Sequence, residues 1–187
     1  LGYAFTYEAD VFFPKVQIDS EQYVKINTPL TSSVFGLHGT KDYVGFDAND
    51  YSNFVVRALR KEINSREVKF VLTGTEGTVI GNLGLESDYF SDVVDGSRWK
   101  FMVRMKPITY PNFNTIIGDT GSVPTSGSYD VEFVGLNTAN NMVIDSFEST
   151  STITSASAKQ VLSDENKRMF IGAHRTDFTG SIINSSS

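Results

Sequence analysis

The sequence contains no cysteine. That removes disulfides, thiolate metal sites and thiol nucleophiles together. It assigns no compartment, because a domain with a large core needs no covalent staples. Histidine is nearly as scarce, with two in 187 residues. His38 and His174 each follow a short apolar run, and two histidines without an ordered carboxylate spacing do not make a zinc site. No Gly-x-Ser-x-Gly occurs, so there is no nucleophile elbow. No apolar run approaches the roughly 20 residues of a membrane-spanning helix. No basic-then-apolar segment opens the chain. Basic charge is also short: 16 Lys and Arg stand against 22 Asp and Glu, for a net charge of −6. A duplex-binding surface needs clustered cations to displace counterions. Here the basic patches are brief, as in Arg57-Ala58-Leu59-Arg60-Lys61. Nucleic acid is excluded as a partner, anionic membranes are repelled, and no membrane insertion is expected.

What is abundant is aromatic and β-branched residues in alternation. Aromatics make up 12% of the chain, with 14 Phe and 8 Tyr. Phe5, Tyr7, Ala9, Val11 and Phe13 fall on one face of an extended segment, and Thr6, Glu8 and Asp10 on the other. Trp99, Phe101, Val103 and Met105 alternate in the same way with Lys100, Met102, Arg104 and Lys106, after an Asp95-Gly96 turn signal. Val34–His38 reads as a short strand. The segment around Val55–Ile63 and Val68–Thr73 reads as a hairpin turning at Asn64-Ser65-Arg66. Tyr129, Val131 and Phe133 begin a strand that passes Gly135, turns near Asn137–Asn141 and returns through Met142–Phe147. Thr75–Asp95 reads as loop with one helical turn near Tyr89-Phe90. Met169–Ala173 reads as a buried strand with Ile171 in the core, and Phe178–Ile183 as the last strand. Many short strands, turn signals between them and hardly a helix predict one all-β domain over residues 1–187, a two-sheet antiparallel β-sandwich or jelly roll.

The second half carries a resemblance. Asp95-Gly96-Ser97-Arg98-Trp99-Lys100-Phe101-Met102-Val103, the Tyr129–Phe133 and Met142–Phe147 hairpin, and Met169-Phe170-Ile171-Gly172-Ala173 with Phe178-Thr179-Gly180-Ser181-Ile182 resemble laminin-G-like domains of the concanavalin-A-like lectin and glucanase superfamily. The chain is also similar to laminin-G-like modules in very large structural proteins of marine bacteriophages. The resemblance implies the sandwich fold, and a single calcium at the rim in some members. Physically, the motifs are mostly core features: a large indole anchored just after a tight turn, and glycines where a neighbour approaches or the chain bends.

Glu8 and Asp10 share a strand face, as the Glu-x-Asp of some sandwich glucanases does. Glycoside cleavage needs paired carboxylates across the sugar bond. The further carboxylate of that set would fall at Phe12 or Phe13, so the set is incomplete, and a solvated strand face is the better reading. Asp47, Asn49 and Asp50 stand in a polar loop with the oxygen ligands calcium prefers, and they are the metal candidates. An ordinary polar loop has the same composition. Asp88, Asp92 and Asp95 form a second acidic group. Tyr43, Tyr51, His174 and Arg175 are the candidate ligand-binding residues, since sugar sites combine aromatic platforms with polar loop groups. Tyr43, Phe46, Tyr51, Tyr89, Phe90, Tyr110 and Phe113 either stack on a ligand or plug the ends of the core.

The expectation is therefore a non-catalytic structural or adhesion module of a larger virion or cell-surface assembly, partnered by other subunits or domains of that assembly. The alternative is a carbohydrate-binding, lectin-like domain recognising glycans, assisted by calcium. The start at Leu1 without Met and the end in Ser185-Ser186-Ser187 suggest a fragment of a longer chain, with the edge beside Phe5–Phe13 covered by further sequence or a neighbouring subunit.

Overall fold

The computed structural model describes residues 4–14, 30–38, 52–62, 65–74, 79–108, 128–163 and 168–172. Nine strands lie among them: β1 (Phe5–Phe12), β2 (Thr31–His38), β3 (Ser52–Arg60), β4 (Val68–Thr73), β5 (Leu85–Glu86), β6 (Arg98–Pro107), β7 (Ser128–Ala139), β8 (Met142–Thr154) and β9 (Arg168–Ile171). They form two antiparallel sheets, β1-β6-β7-β8 and β5-β4-β3-β2-β9. Among the described residues, helical structure is one 3-10 turn at Ile80–Asn82 and one helix, α1 (Ser155–Ser163).

The alternation read in the sequence sets the register. Phe5, Tyr7, Ala9 and Val11 lie opposite Met105, Val103, Phe101 and Trp99, and all eight point to the inside. The second sheet supplies Phe35, Phe54 and Phe70 to the same core. Phe70 stands between the layers, with ring centroids 4.8 Å from Trp99 and 4.7 Å from Phe101. Phe5 stacks on Phe54 at 6.2 Å, and Phe35 reaches Phe101 at 6.3 Å. Tilted and edge-on pairs of this kind add about 0.5–1.5 kcal/mol each beyond the area they bury. The two sheets therefore face one another as a sandwich glued by aromatic rings.

Local chemistry explains the turns. Trp99 is fully buried, yet its indole N–H donates to Ser97 Oγ at 3.1 Å. That hydroxyl in turn donates to the Val93 carbonyl. The turn before the tryptophan thus satisfies the one polar atom the ring carries inside. The β7–β8 hairpin closes on Asn140 and Asn141, both left-handed (φ 51° and 62°), the pattern of a two-residue turn that matches strand twist. The β3–β4 connection is held by Arg60, whose guanidinium donates twice to the Ser65 carbonyl, at 3.1 and 2.7 Å.

Three expectations are corrected. Ile171 stands opposite Phe35 but is 76% exposed at the sheet edge, and the buried residue of β9 is Phe170, opposite Gly36 on the other face and outside the core cluster. Gly172 makes no close approach; it has φ +80° with open space around it, and its N–H donates to the Val34 carbonyl at 2.7 Å. The helical turn expected near Tyr89-Phe90 lies earlier, at Ile80–Asn82, and the same segment contributes β5. The Ser/Thr-rich stretch after Phe147 is strand to Thr154 and then α1, capped by Thr154 Oγ1, which accepts the Ser157 N–H at 3.2 Å. Phe178–Ile183 lies outside the described residues.

Candidate functional site

The outer face of the four-stranded sheet carries a groove of about 450 Å³. Glu8 and Asp10 from β1, Lys100 and Met102 from β6, and Val134 and Leu136 from β7 line it. Pairing places Glu8 directly opposite Met102, Asp10 opposite Lys100, Met102 opposite Val134, and Lys100 opposite Leu136. The groove thus has an apolar floor with charge along one wall.

The two carboxylates do not stand alike. Asp10 is clamped by Arg98 across the β1–β6 pair: Arg98 Nε donates to Oδ1 at 2.8 Å and Nη2 to Oδ2 at 2.5 Å. The hydrogen bonds from Arg98 hold its carboxyl below the ordinary carboxylate range, against a smaller opposing effect of desolvation. Arg98 rises correspondingly, through the same hydrogen bonds. A fork of this geometry ties strands together and keeps the acid ionised. Glu8 has no ion-pair partner among the described residues. Phe12, where a third carboxylate would stand, is exposed and aromatic.

Beside the groove, Glu132 is almost fully buried on this nominally outer face. Arg104 Nε donates to its Oε2 at 2.6 Å, and Lys106 Nζ meets Oε1 at 2.5 Å. Burial pushes its carboxyl up, but the hydrogen bonds from Lys106 and Arg104 outweigh this and leave it lowered.

The acidic residues near the Trp99 turn are not gathered. Asp92 is left-handed (φ 62°) and lies 3.6 Å from Arg66 Nη1, and Asp95 donates its N–H to the Asp92 carbonyl at 3.2 Å. Among the described residues no group of three or more His, Asp or Glu is placed to hold a metal. Two of the loop aromatics separate cleanly. Phe90 plugs the core, 4.9 Å from Trp99. Tyr89 is on the surface, with Lys61 and Lys69 Nζ at 5.5 and 5.7 Å from its ring centre. Those ammonium groups are themselves paired with Glu67 and Glu86.

The calcium candidates Asp47, Asn49 and Asp50, and the ligand candidates Tyr43, Tyr51, His174 and Arg175, lie outside the described residues. Reading the sequence picked out Glu8 and Asp10 but not Lys100, Met102, Val134 and Leu136 beside them. Alternation marks Lys100 and Met102 as outward. Their place opposite Glu8 and Asp10 depends on a pairing some ninety residues apart along the chain.

No protein-family model, no curated protein and no solved structure matches this chain.

Proposed function

We propose that this chain is a non-catalytic structural or adhesion module of a larger virion or cell-surface assembly, with a jelly-roll sandwich of the laminin-G/concanavalin-A-like kind. One observation carries the reading: Asp10, half of the one carboxylate pair with a catalytic spacing, is pinned in a two-point clamp by Arg98. A general acid must be free to carry and release a proton near the working pH. A carboxylate stabilised in its ionised form by a guanidinium serves instead as a strand staple. The groove floor of Met102, Val134 and Leu136 is aliphatic, and the one aromatic of its lining, Phe101, is buried in the core, which favours a protein neighbour over a glycan.

The test pairs a turnover assay on β-glucans with a glycan array read with and without calcium. Neither turnover nor glycan binding is expected. Hydrolysis that disappears in Glu8→Gln would overturn the reading in favour of an enzyme. Calcium-dependent glycan binding would overturn it in favour of a lectin-like domain.

A further inference from the structure

The four-stranded sheet ends on β8, which pairs with β7 on one side and with no described strand on the other. Exposed edge strands invite pairing with another chain, and natural ones are shortened or guarded by charge, Pro or Lys. The other edges among the described strands follow that rule more closely. β5 has two residues and β9 four. β1 is longer but turns Glu8 and Asp10 outward. β8 follows it least. It runs for thirteen residues with no Pro, Lys or Arg. Its only charges are Asp145 and Glu148, and Ser149-Thr150-Ser151-Thr152-Ile153-Thr154 carries none. Thr150, Thr152 and Thr154 are exposed. At the start of the strand Met142, Val143 and Ile144 are 67%, 58% and 58% exposed.

We propose that β8 is an interface between two copies of this chain, paired β8 to β8 antiparallel about a twofold axis at Ser149, so that the two four-stranded sheets continue into one. This names the partner for the assembly role proposed above and rests on that reading. A second copy is the occupant that the strand's own chemistry suits. In a twofold antiparallel pair each residue opposes a residue of the same sheet face. Full overlap would set Glu148 against its own copy, and like charges directly opposite are unfavourable. Moving the axis by one residue, to Ser149, puts Glu148 opposite Thr150 and Asp145 opposite Ile153. Ser146 then meets Thr152 and Phe147 meets Ser151, over the span Ile144–Thr154. Ser and Thr pairs are favourable cross-strand neighbours. A basic partner would answer Glu148 alone, because Asp145 already accepts from Asn137 Nδ2 at 3.2 Å. It would leave the uncharged run unmatched.

The register makes two charge changes act in opposite directions. Thr150→Glu sets one acid opposite Glu148 of the other copy at each of the two symmetry-related places. It should weaken dimerisation by roughly 2- to 30-fold, at the usual strength of a cross-strand charge pair. Thr150→Lys should strengthen it by a similar factor. Analytical ultracentrifugation of the whole chain reads both, with thermal melts confirming that each variant folds. Because the chain has no cysteine, Ser149→Cys introduces one thiol, at the axis. Mild oxidation should yield a disulfide-linked dimer, whereas Thr6→Cys on the β1 edge should not. A protein that stays monomeric at high micromolar concentration and does not cross-link through Ser149→Cys overturns the proposal. So does a dimer that cross-links through Thr6→Cys instead, or one indifferent to both changes at Thr150. Any of these leaves the assembly reading to its own assays, since a neighbour of different sequence can still cover the edge.

Discussion

The ring of Phe147 on β8 lies across Gly135 on β7, its directly opposed neighbour. A Cβ built on Gly135 would fall 2.8 Å from Phe147 Cζ and closer still to Cε1. The same arrangement recurs in the other sheet. Phe170 on β9 covers Gly36 on β2, where a Cβ would lie 2.7 Å from Phe170 Cε1, closer still to Cζ, and 2.5 Å from the Phe54 carbonyl oxygen. In each case a missing side chain on one strand is filled by a ring from the next, and the ring reaches the core or a buried surface through the gap.

Gly135→Ala should therefore destabilise the fold by about 1–3 kcal/mol, the usual scale of overpacking. The measurement is chemical denaturation followed by circular dichroism. Shrinking the ring should relieve the clash, so Gly135→Ala with Phe147→Leu should lose less than the sum of the two single changes. Residues in contact are where additivity fails. Strict additivity would mean that the ring does not occupy the glycine's place.

Phe70 touches Trp99, Phe101, Phe13, Phe90 and Phe147 with ring centroids 4.7 to 6.3 Å away. Phe70→Ala should cost about 3–5 kcal/mol, as for other large-to-small changes at fully buried aromatics. Trp99 is the single tryptophan, so its fluorescence reports this site directly. Emission should be blue-shifted in the native protein and move to the red in Phe70→Ala as water reaches the ring. An unchanged spectrum with a loss under about 0.5 kcal/mol, the range of surface changes, would place Phe70 outside the core.

The long alternations were legible, and for a physical reason: β1 and β6 each repeat the two-residue period several times, so phase and face are determined within the strand. β9 has four residues, too few to set a phase. Phe170 is buried because Gly36, directly opposite it, leaves room for its ring on the face away from the core, and that glycine lies more than a hundred residues away. The helix α1 was hidden by its Ser and Thr. Its local signals are a Thr154 cap and the three-residue spacing of buried Ala158 and Val161, which composition alone does not reveal. The groove was half legible, since two of its walls depend on register. Accordingly, Ile171→Ser should change stability by less than about 0.5 kcal/mol, whereas Phe170→Ala should cost several times more. Equal losses would mean that the Phe170 ring is not packed against Gly36.

Acid should weaken the sheet through Glu132 and Asp10. Both carboxyls are lowered in the folded protein, Glu132 by Lys106 and Arg104 against the opposing effect of its burial, Asp10 chiefly by Arg98. A lowered folded-state value means that the unfolded chain binds more protons in that range. The stabilisation is therefore fully present above the ordinary carboxylate range and is lost as pH falls through the folded-state values. Glu132→Gln should cost about 1.5–3 kcal/mol at neutral pH, the scale of hydrogen bonds to charged groups. It should also flatten the fall in stability on acidification. A wild-type melting temperature that does not drop between neutral pH and pH about 3 would count against both ion pairs as stabilising contacts.

The hairpin tip offers a gain rather than a loss. Asn140 and Asn141 both hold left-handed backbone, φ 51° and 62°, in the two-residue connection between Ala139 and Met142. Asparagine tolerates this region better than most residues, but glycine enters it without a Cβ penalty. Asn-Gly is the favoured pair for such turns. Asn141→Gly should thus stabilise the fold, by a few tenths to about 1 kcal/mol after the extra freedom it gives the unfolded chain is set against it. Asn141→Val should destabilise it by roughly 1–2 kcal/mol, because a β-branched side chain meets the carbonyl oxygen in left-handed backbone. Denaturation midpoints of the two variants should fall on opposite sides of the parent. If both fell on the same side, the turn would not have the backbone described.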